Sequence, residues 1–147
     1  MSRRLTLASV LLLIVGVWGV FEGFTALFYP EFFLSTRMNE MNENLIHPDL
    51  SSINEYSPNL MDFMVFNNRA FGLYAMVGSL FLCVVSLVPY RNGEKWAWYV
   101  MLIIGGINIF GTLTLNYIGV TSQAPITIIM AALWIIGITI PAKEIQM

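Results

Sequence analysis

Charged residues are scarce in this chain of 147 residues. Lysine and arginine number 7, aspartate and glutamate number 9, and together they make up 11% of the sequence, whereas 57% is hydrophobic. Soluble domains carry about 25% charged residues, so this chain has too little polar surface for water. The composition, with a mean hydropathy of +0.72, predicts an integral membrane protein. The formal net charge of −2 gives no indication of a nucleic-acid partner.

Cysteine and histidine are also nearly absent. Cys83 is the single cysteine, so it cannot form an internal disulfide or a multi-cysteine metal site, and its apolar surroundings predict a small buried residue. His47 is the single histidine, and no nucleophile–base pattern surrounds it. The sequence contains no GxGxxG, P-loop or HExxH motif. These absences favour a protein that is not an enzyme.

Long apolar segments dominate what is present. A transmembrane helix needs about 20 apolar residues, and in lipid each segment must satisfy its own backbone hydrogen bonds, which favours helices. The first segment is too long for a signal peptide and is interpreted as a retained anchor. Short connections make consecutive later helices antiparallel neighbours. The sequence therefore predicts an all-α, polytopic single domain over 1–147, with four transmembrane helices in an antiparallel bundle. The predicted helices are about 5–29, 63–88, 96–117 and 124–140, with an extracytoplasmic loop at 30–62.

The distribution of positive charge predicts the orientation of the bundle. Cytoplasmic segments of membrane proteins are enriched in lysine and arginine. If the chain crosses four times, every cation but Arg37 and Arg69 falls on one side, whereas Arg37 in the loop 30–62 is outnumbered by acids. We therefore expect a multi-pass protein of the cell membrane with both termini cytoplasmic. The cations on the predicted cytoplasmic side are Arg3, Arg4, Arg91, Lys95 and Lys143.

Polar side chains recur inside the apolar segments. At about 1.5 Å of rise per residue, Glu22 and Arg69 each lie roughly 10 Å from the outer ends of their predicted helices. Asn108, Thr112 and Asn116 are spaced i, i+4, i+8, so they share one face of the third helix. The pattern predicts a polar chamber in the outer half of the bundle, suited to the headgroup of a lipid or a quinone. Its candidate ligand-binding residues are Trp18, Glu22, Asn68, Arg69, Asn108, Thr112 and Asn116.

Two simpler interpretations of Glu22 and Arg69 stay open. The uncharged run after Arg69 is long enough to span by itself, so the guanidinium can snorkel to the interface. Alternatively, the two side chains form a buried ion pair that fixes the arrangement of the helices and binds nothing.

The predicted loop offers a different kind of site. Thioether and imidazole groups suit copper, and Met38, Met41 and His47 lie close together in the sequence. Two methionines and one distant histidine are a weak pattern. The alternative is a solvated loop in which His47, next to Pro48, is a turn residue.

Three stretches resemble the DoxX-like group of small four-helix membrane proteins from bacteria and archaea. They are "FEGFTALFYP" at the end of the first helix, "NRAFGLYAMVGSL" in the second, and "PYRNGEKWAW" leading into the third. Some members of that group are accessory subunits of redox complexes that deliver electrons to quinone, so the resemblance implies a role beside quinone or lipid.

These observations together predict a non-catalytic accessory or scaffolding subunit of a membrane complex, surrounded by membrane lipid. Its partners would be other membrane subunits or further copies of this chain. The alternative is a lipid- or quinone-binding protein, linked to redox chemistry, that uses the polar chamber. An extracytoplasmic copper binder is a third and less favoured interpretation.

Overall fold

The computed structural model describes residues 3–32, 34, 55, 57–117, 124–142 and 145, with the backbone alone at 108–117 and 124–125. This part of the chain is helical and contains no β-strand, which confirms the predicted all-α class. A π-helical turn continues the second helix without a break. The elements are α1 (Arg3–Phe28), α2 (Pro58–Val85), the π-helical turn (Ser86–Tyr90), α3 (Lys95–Tyr117) and α4 (Ala124–Thr139).

Two helices in the described ranges are long and apolar enough to cross a membrane. They are α1, with 26 residues, and the continuous helix Pro58–Tyr90, with 33 residues. The described parts of α3 and α4 contribute shorter apolar stretches, Lys95–Ile107 and Ile126–Thr139. The first two predicted spans therefore have the required length and composition.

Helix α2 begins at Pro58, earlier than the predicted start at position 63. Proline is favoured in the first helical turn because its fixed φ suits the helix and its missing N–H has no intrahelical partner there. The carbonyl oxygen of the preceding residue, Ser57, accepts hydrogen bonds from the Leu60 N–H at 3.0 Å and the Met61 N–H at 3.3 Å. The polar first turn, rather than the first apolar residue, starts the helix.

The π-helical turn carries the second helix to Tyr90, past the predicted end at position 88. Pro89 lies inside this turn, Ser86–Tyr90, and does not end the helix. The helix ends instead at Gly93, whose φ of +78° is left-handed. The Gly93 N–H donates to the Tyr90 carbonyl and the Glu94 N–H donates to the Pro89 carbonyl, each at 3.0 Å. These two bonds form a Schellman motif, the usual helix ending at glycine.

Small residues let α1 and α2 pack closely along most of their lengths. A methyl group added at Gly23 would lie 2.5 Å from the Met76 nitrogen and 2.8 Å from the Gly72 oxygen. One added at Gly16 would lie 2.7 Å from the Cys83 sulfur. Glycine at these positions allows the two backbones to approach as they do in tightly packed membrane helices, and α1 and α2 run antiparallel.

Among the side chains that the structure describes, the buried apolar cluster lies at one end of the bundle. This basal end comprises the start of α1, the π-helical turn with the first turns of α3, and the end of α4; the opposite end, with Phe28 and Pro58, is the distal end. The buried apolar side chains pack against one another there. They are Ala8, Leu12, Val85, Tyr90, Ala97, Trp98, Met101, Ile138 and Ile145.

Hydrogen bonds from buried side chains tie the helices of the basal end together. The Tyr90 hydroxyl donates to the Gly137 carbonyl at 2.7 Å, and Trp98 Nε1 donates to the Ile138 carbonyl at 3.1 Å. Buried polar groups need such partners, because an unpaired donor has lost its water. Both bonds end on the main chain of α4, so α4 is held by the turn before α3 and by α3 itself.

The start of α1 is joined to the π-helical turn by another buried hydrogen bond. Ser9 Oγ donates to the Ser86 carbonyl at 2.6 Å, and Ser86 Oγ donates to the Cys83 carbonyl at 2.9 Å. Both serines are buried. The two buried serine hydroxyls therefore have hydrogen-bond acceptors within the protein.

Candidate functional site

The pairing of α1 with α2 sets the relative depth of Glu22 and Arg69. Gly23 faces Met76, and Gly72 faces Leu27. Counting from these contacts, Arg69 lies about seven residues nearer the distal end than Glu22, which is about 10 Å along the helix axis. The sequence analysis expected equal depths because it measured the depth of Arg69 from position 63. In the structure α2 starts at Pro58 and extends past the end of α1.

Side-chain direction increases this separation. In an α-helix the Cα–Cβ bond leans toward the helix N-terminus. The N-terminus of α1 is at the basal end and that of α2 at the distal end, so the two side chains lean away from each other. Glu22 is half-buried and Arg69 is exposed. A common binding site that includes both residues stays a prediction.

Asn68 has a clear structural function at the distal end of α1. Its Nδ2 donates to the Pro30 carbonyl at 3.3 Å and to the Ala26 carbonyl at 3.5 Å. The last carbonyls of a helix have no intrahelical partner, so the Asn68 amide supplies one. The sequence showed a polar residue beside Arg69 but not its partners, because they are main-chain atoms distant in the sequence.

Arg69 lies near the level at which α1 ends, while α2 extends further toward the distal end. Residues 58–67 of α2 precede the level at which Asn68 meets Pro30. Arg69 is exposed at this step, and Phe66, one turn nearer the distal end, is 71% exposed. The arrangement combines an accessible cation with apolar surface, which suits an amphiphile with an acidic or polar headgroup.

Trp18 and Thr25, the neighbours of Glu22 on α1, interact within their own helix. The Trp18 ring lies 5.8 Å from the Phe21 ring, measured between centroids. Thr25 Oγ1 donates to the Phe21 carbonyl at 2.9 Å. Trp18 is half-buried, so its ring contributes to the packing of the bundle.

The remaining candidates are only partly covered by the structure. Asn108, Thr112 and Asn116 lie on the helical backbone of α3, and their side chains lie outside the described residues. Met38, Met41 and His47 also fall outside them, so the copper site stays a prediction. Among the residues described, no three His, Cys, Asp or Glu side chains are grouped so that they could hold a metal ion.

A cavity at the basal end was not anticipated from the sequence. Its volume is about 240 Å³, and it is lined by Lys95, Trp98, Tyr99 and Ile145. The run "KWAWY" supplies three of these side chains, but the cavity also needs Ile145, which follows α4 in the chain. Only the folded bundle brings these side chains together.

Comparison with known proteins gives no family assignment. No family model, curated protein or solved structure matches the chain significantly. The DoxX-like resemblance therefore stays a prediction.

Proposed function

We propose that this chain is a small multi-pass membrane protein that acts as a non-catalytic accessory or scaffolding subunit of a membrane complex. The observation that carries the proposal is the exposed apolar surface of α2 on the side away from α1. Tyr74 is 77% exposed and Val77 is 56% exposed on a helix whose other side is packed against glycine residues. Such a helix needs lipid or another protein around it.

Gly78 makes this surface suitable for another helix. A methyl group added there would meet no atom within 4 Å, in contrast to those added at Gly23 and Gly72. In membranes a small residue on a helix surface allows a second helix to approach closely. We assign this position to a helix of a partner membrane subunit or of a second copy of this chain.

The proposed topology has four crossings with both termini cytoplasmic. The basal end carries Arg3, Arg4, Arg91 and Lys95 and one described acid, Glu94, whereas Glu31, Glu55 and Asp62 lie toward the distal end. Because positive charge is retained on the cytoplasmic side, the basal end is the cytoplasmic one in this proposal.

Site-specific photocrosslinking tests the scaffolding function. A photoreactive phenylalanine analogue at Tyr74 is expected to give one defined adduct in native membranes, whose mass distinguishes a partner subunit from a second copy. The same probe at Phe21, which is 59% exposed on α1, is the matched control. A Gly78→Leu substitution should abolish the Tyr74 adduct because the added side chain blocks close approach.

One combination of results would contradict the scaffolding proposal. If mild-detergent purification yields a monomer and Tyr74 crosslinks only to lipid, α2 faces lipid alone and no subunit contact exists there.

The exposed position of Arg69 at the step between α1 and α2 supports a second candidate function, binding of a lipid or a quinone at the distal end. Its polar groups would be Arg69, Glu22 and the α3 residues Asn108, Thr112 and Asn116, with Trp18 beside them. The resemblance to DoxX-like proteins is consistent with a quinone-linked process. If this is correct, lipid or quinone that copurifies with the protein should be lost in Arg69→Met and retained in Asn67→Leu, a neighbouring exposed position.

A further inference from the structure

The cavity at the basal end combines a cation with two aromatic rings, one of which is buried and hydrogen-bonded. Trp98 is buried and its Nε1 is bonded to the Ile138 carbonyl, so the ring orientation is set by α4. The Tyr99 ring packs edge-on against it, with centroids 5.2 Å apart and an interplanar angle of 79°. Lys95 and Tyr99 are exposed at the cavity mouth. A ligand would meet an ammonium group beside preorganised aromatic walls.

The basal end that carries the cavity also holds three arginines. A methyl group added at Gly93 would lie 3.4 Å from Leu5 Cδ1, so the start of α1, with Arg3 and Arg4, adjoins the turn that carries Arg91. All three arginines are exposed. The neighbouring acid, Glu94, accepts a hydrogen bond from Trp96 Nε1. Among the described residues of the basal end, cations therefore outnumber acids.

We propose that this cavity binds the phosphate headgroup of an anionic phospholipid, with Lys95 as its principal cation. The proposal rests on insertion of the bundle into a membrane, as proposed above. At the level of the headgroups, each lysine or arginine near an anionic surface contributes about 1 kcal/mol to attraction. Tryptophan and tyrosine prefer the same level because their rings are apolar and their polar atoms can reach water. The walls would hold the glycerol and upper acyl region while Lys95 meets the phosphate.

Native mass spectrometry of the purified full chain tests this site. Phosphatidylglycerol and phosphatidylcholine with identical acyl chains are titrated separately into the detergent-solubilised protein, and bound lipids are counted. We expect one saturable phosphatidylglycerol molecule that is preferred over phosphatidylcholine. Lys95→Gln should weaken phosphatidylglycerol binding about fivefold, which corresponds to about 1 kcal/mol.

Arg3→Gln is the matched control, because it removes the same charge from the basal end but not from the cavity lining. If the lipid binds in the cavity, Arg3→Gln should weaken phosphatidylglycerol binding clearly less than Lys95→Gln does. Equal losses in the two variants, or equal binding of the two lipids, would overturn the proposal. Tyr99→Leu provides a second variant in case Lys95→Gln does not fold, and it should also lower affinity.

Two further experiments distinguish the possible reasons for a negative binding result. Glycerol phosphate at the same concentration should not displace the lipid, and full displacement would show a site for soluble phosphate esters instead. Reconstitution into phosphatidylcholine vesicles tests membrane insertion alone. Failure to insert would overturn the membrane proposal, whereas insertion without preference for phosphatidylglycerol would overturn only the lipid site.

Discussion

Some glycine residues of this protein lie in close contact with a neighbouring helix, and others lie on an open helix face. Gly23 and Gly72 touch the backbone of the facing helix, whereas Gly78, on the same helix as Gly72, has open space around it. The same change, addition of a methyl group, should therefore have opposite effects at Gly23 and Gly78. The comparison isolates packing, because the chemical change is identical.

We expect Gly23→Ala to destabilise the bundle by about 1–3 kcal/mol, the usual range for overpacking, because its methyl group would meet the Met76 backbone at 2.5 Å. Gly78→Ala should be neutral or stabilising by up to about 1 kcal/mol, since alanine is the better helix former. Titration with SDS in mixed micelles, followed by tryptophan fluorescence, measures the free energy of unfolding. Equal effects at the two positions would contradict the close contact of α1 and α2.

Tyrosine hydroxyls provide a second paired comparison. Tyr90 is fully buried and donates to the Gly137 carbonyl, whereas Tyr74 is 77% exposed. Tyr90→Phe removes the donor and leaves a buried carbonyl unpaired, at a cost of about 1–3 kcal/mol. Tyr74→Phe should change the free energy of unfolding by less than about 0.5 kcal/mol. The same unfolding titration checks both, and a Tyr90→Phe variant as stable as the parent would show that this bond is not needed.

At the scale of the helices, the continuous helix Pro58–Tyr90 is followed by Gly93, whose left-handed conformation ends it. Gly93→Ala should destabilise the protein by about 1–2 kcal/mol, because a Cβ atom is strained at a φ of +78°. Asparagine tolerates this conformation better, so Gly93→Asn should lose less than half as much. Thermal unfolding of the two variants in detergent gives the comparison. If alanine and asparagine behave alike, conformational strain at Gly93 does not determine the ending.

The sequence predicted the helical class because long apolar runs without charge have one way to satisfy their backbone. Its errors lie at the helix ends. The signal for the start of α2 was present in "SPNLMD", where proline follows a serine, but the apolar count began at Phe63. The continuation through Pro89 could not be predicted, because proline inside a helix usually ends or kinks it; the bond that joins this turn to α1 links Ser9 and Ser86, which are distant in the sequence.

The candidate site depended on helix pairing, which a hydrophobic pattern does not specify. Its residues were grouped by their distance from predicted helix ends, so the early start of α2 altered the expected depth of Arg69 relative to Glu22. Asn68 was predicted to bind a ligand, and that stays a prediction; in the structure its amide donates to the Ala26 and Pro30 carbonyls at the distal end of α1. The basal cavity requires contact between α3 and Ile145, which sequence spacing cannot show.

For the whole molecule, the separation of charge between the two ends makes the proposed topology testable. In a Cys83→Ala background, which removes the single native thiol, cysteine is introduced at Arg91 or at Glu55. A membrane-impermeant maleimide applied to intact cells should label the Glu55→Cys protein and not the Arg91→Cys protein. Both positions are exposed, so burial does not explain a difference.

Permeabilised cells provide the control for this labelling. Arg91→Cys should then react as completely as Glu55→Cys. Labelling of Arg91→Cys in intact cells would reverse the proposed orientation, and labelling of both positions would contradict an arrangement with the basal end inside.

The position of Gly137 and Ile138 late in the chain has a consequence for biosynthesis. The Tyr90 hydroxyl and Trp98 Nε1 are both made well before the carbonyls that receive them. While a ribosome is still translating α4, these two donors lack their final acceptors and the basal end stays open. A transcript cut short before codon 137 would therefore yield a product with unsatisfied groups at its base, which cellular quality control could recognise and degrade.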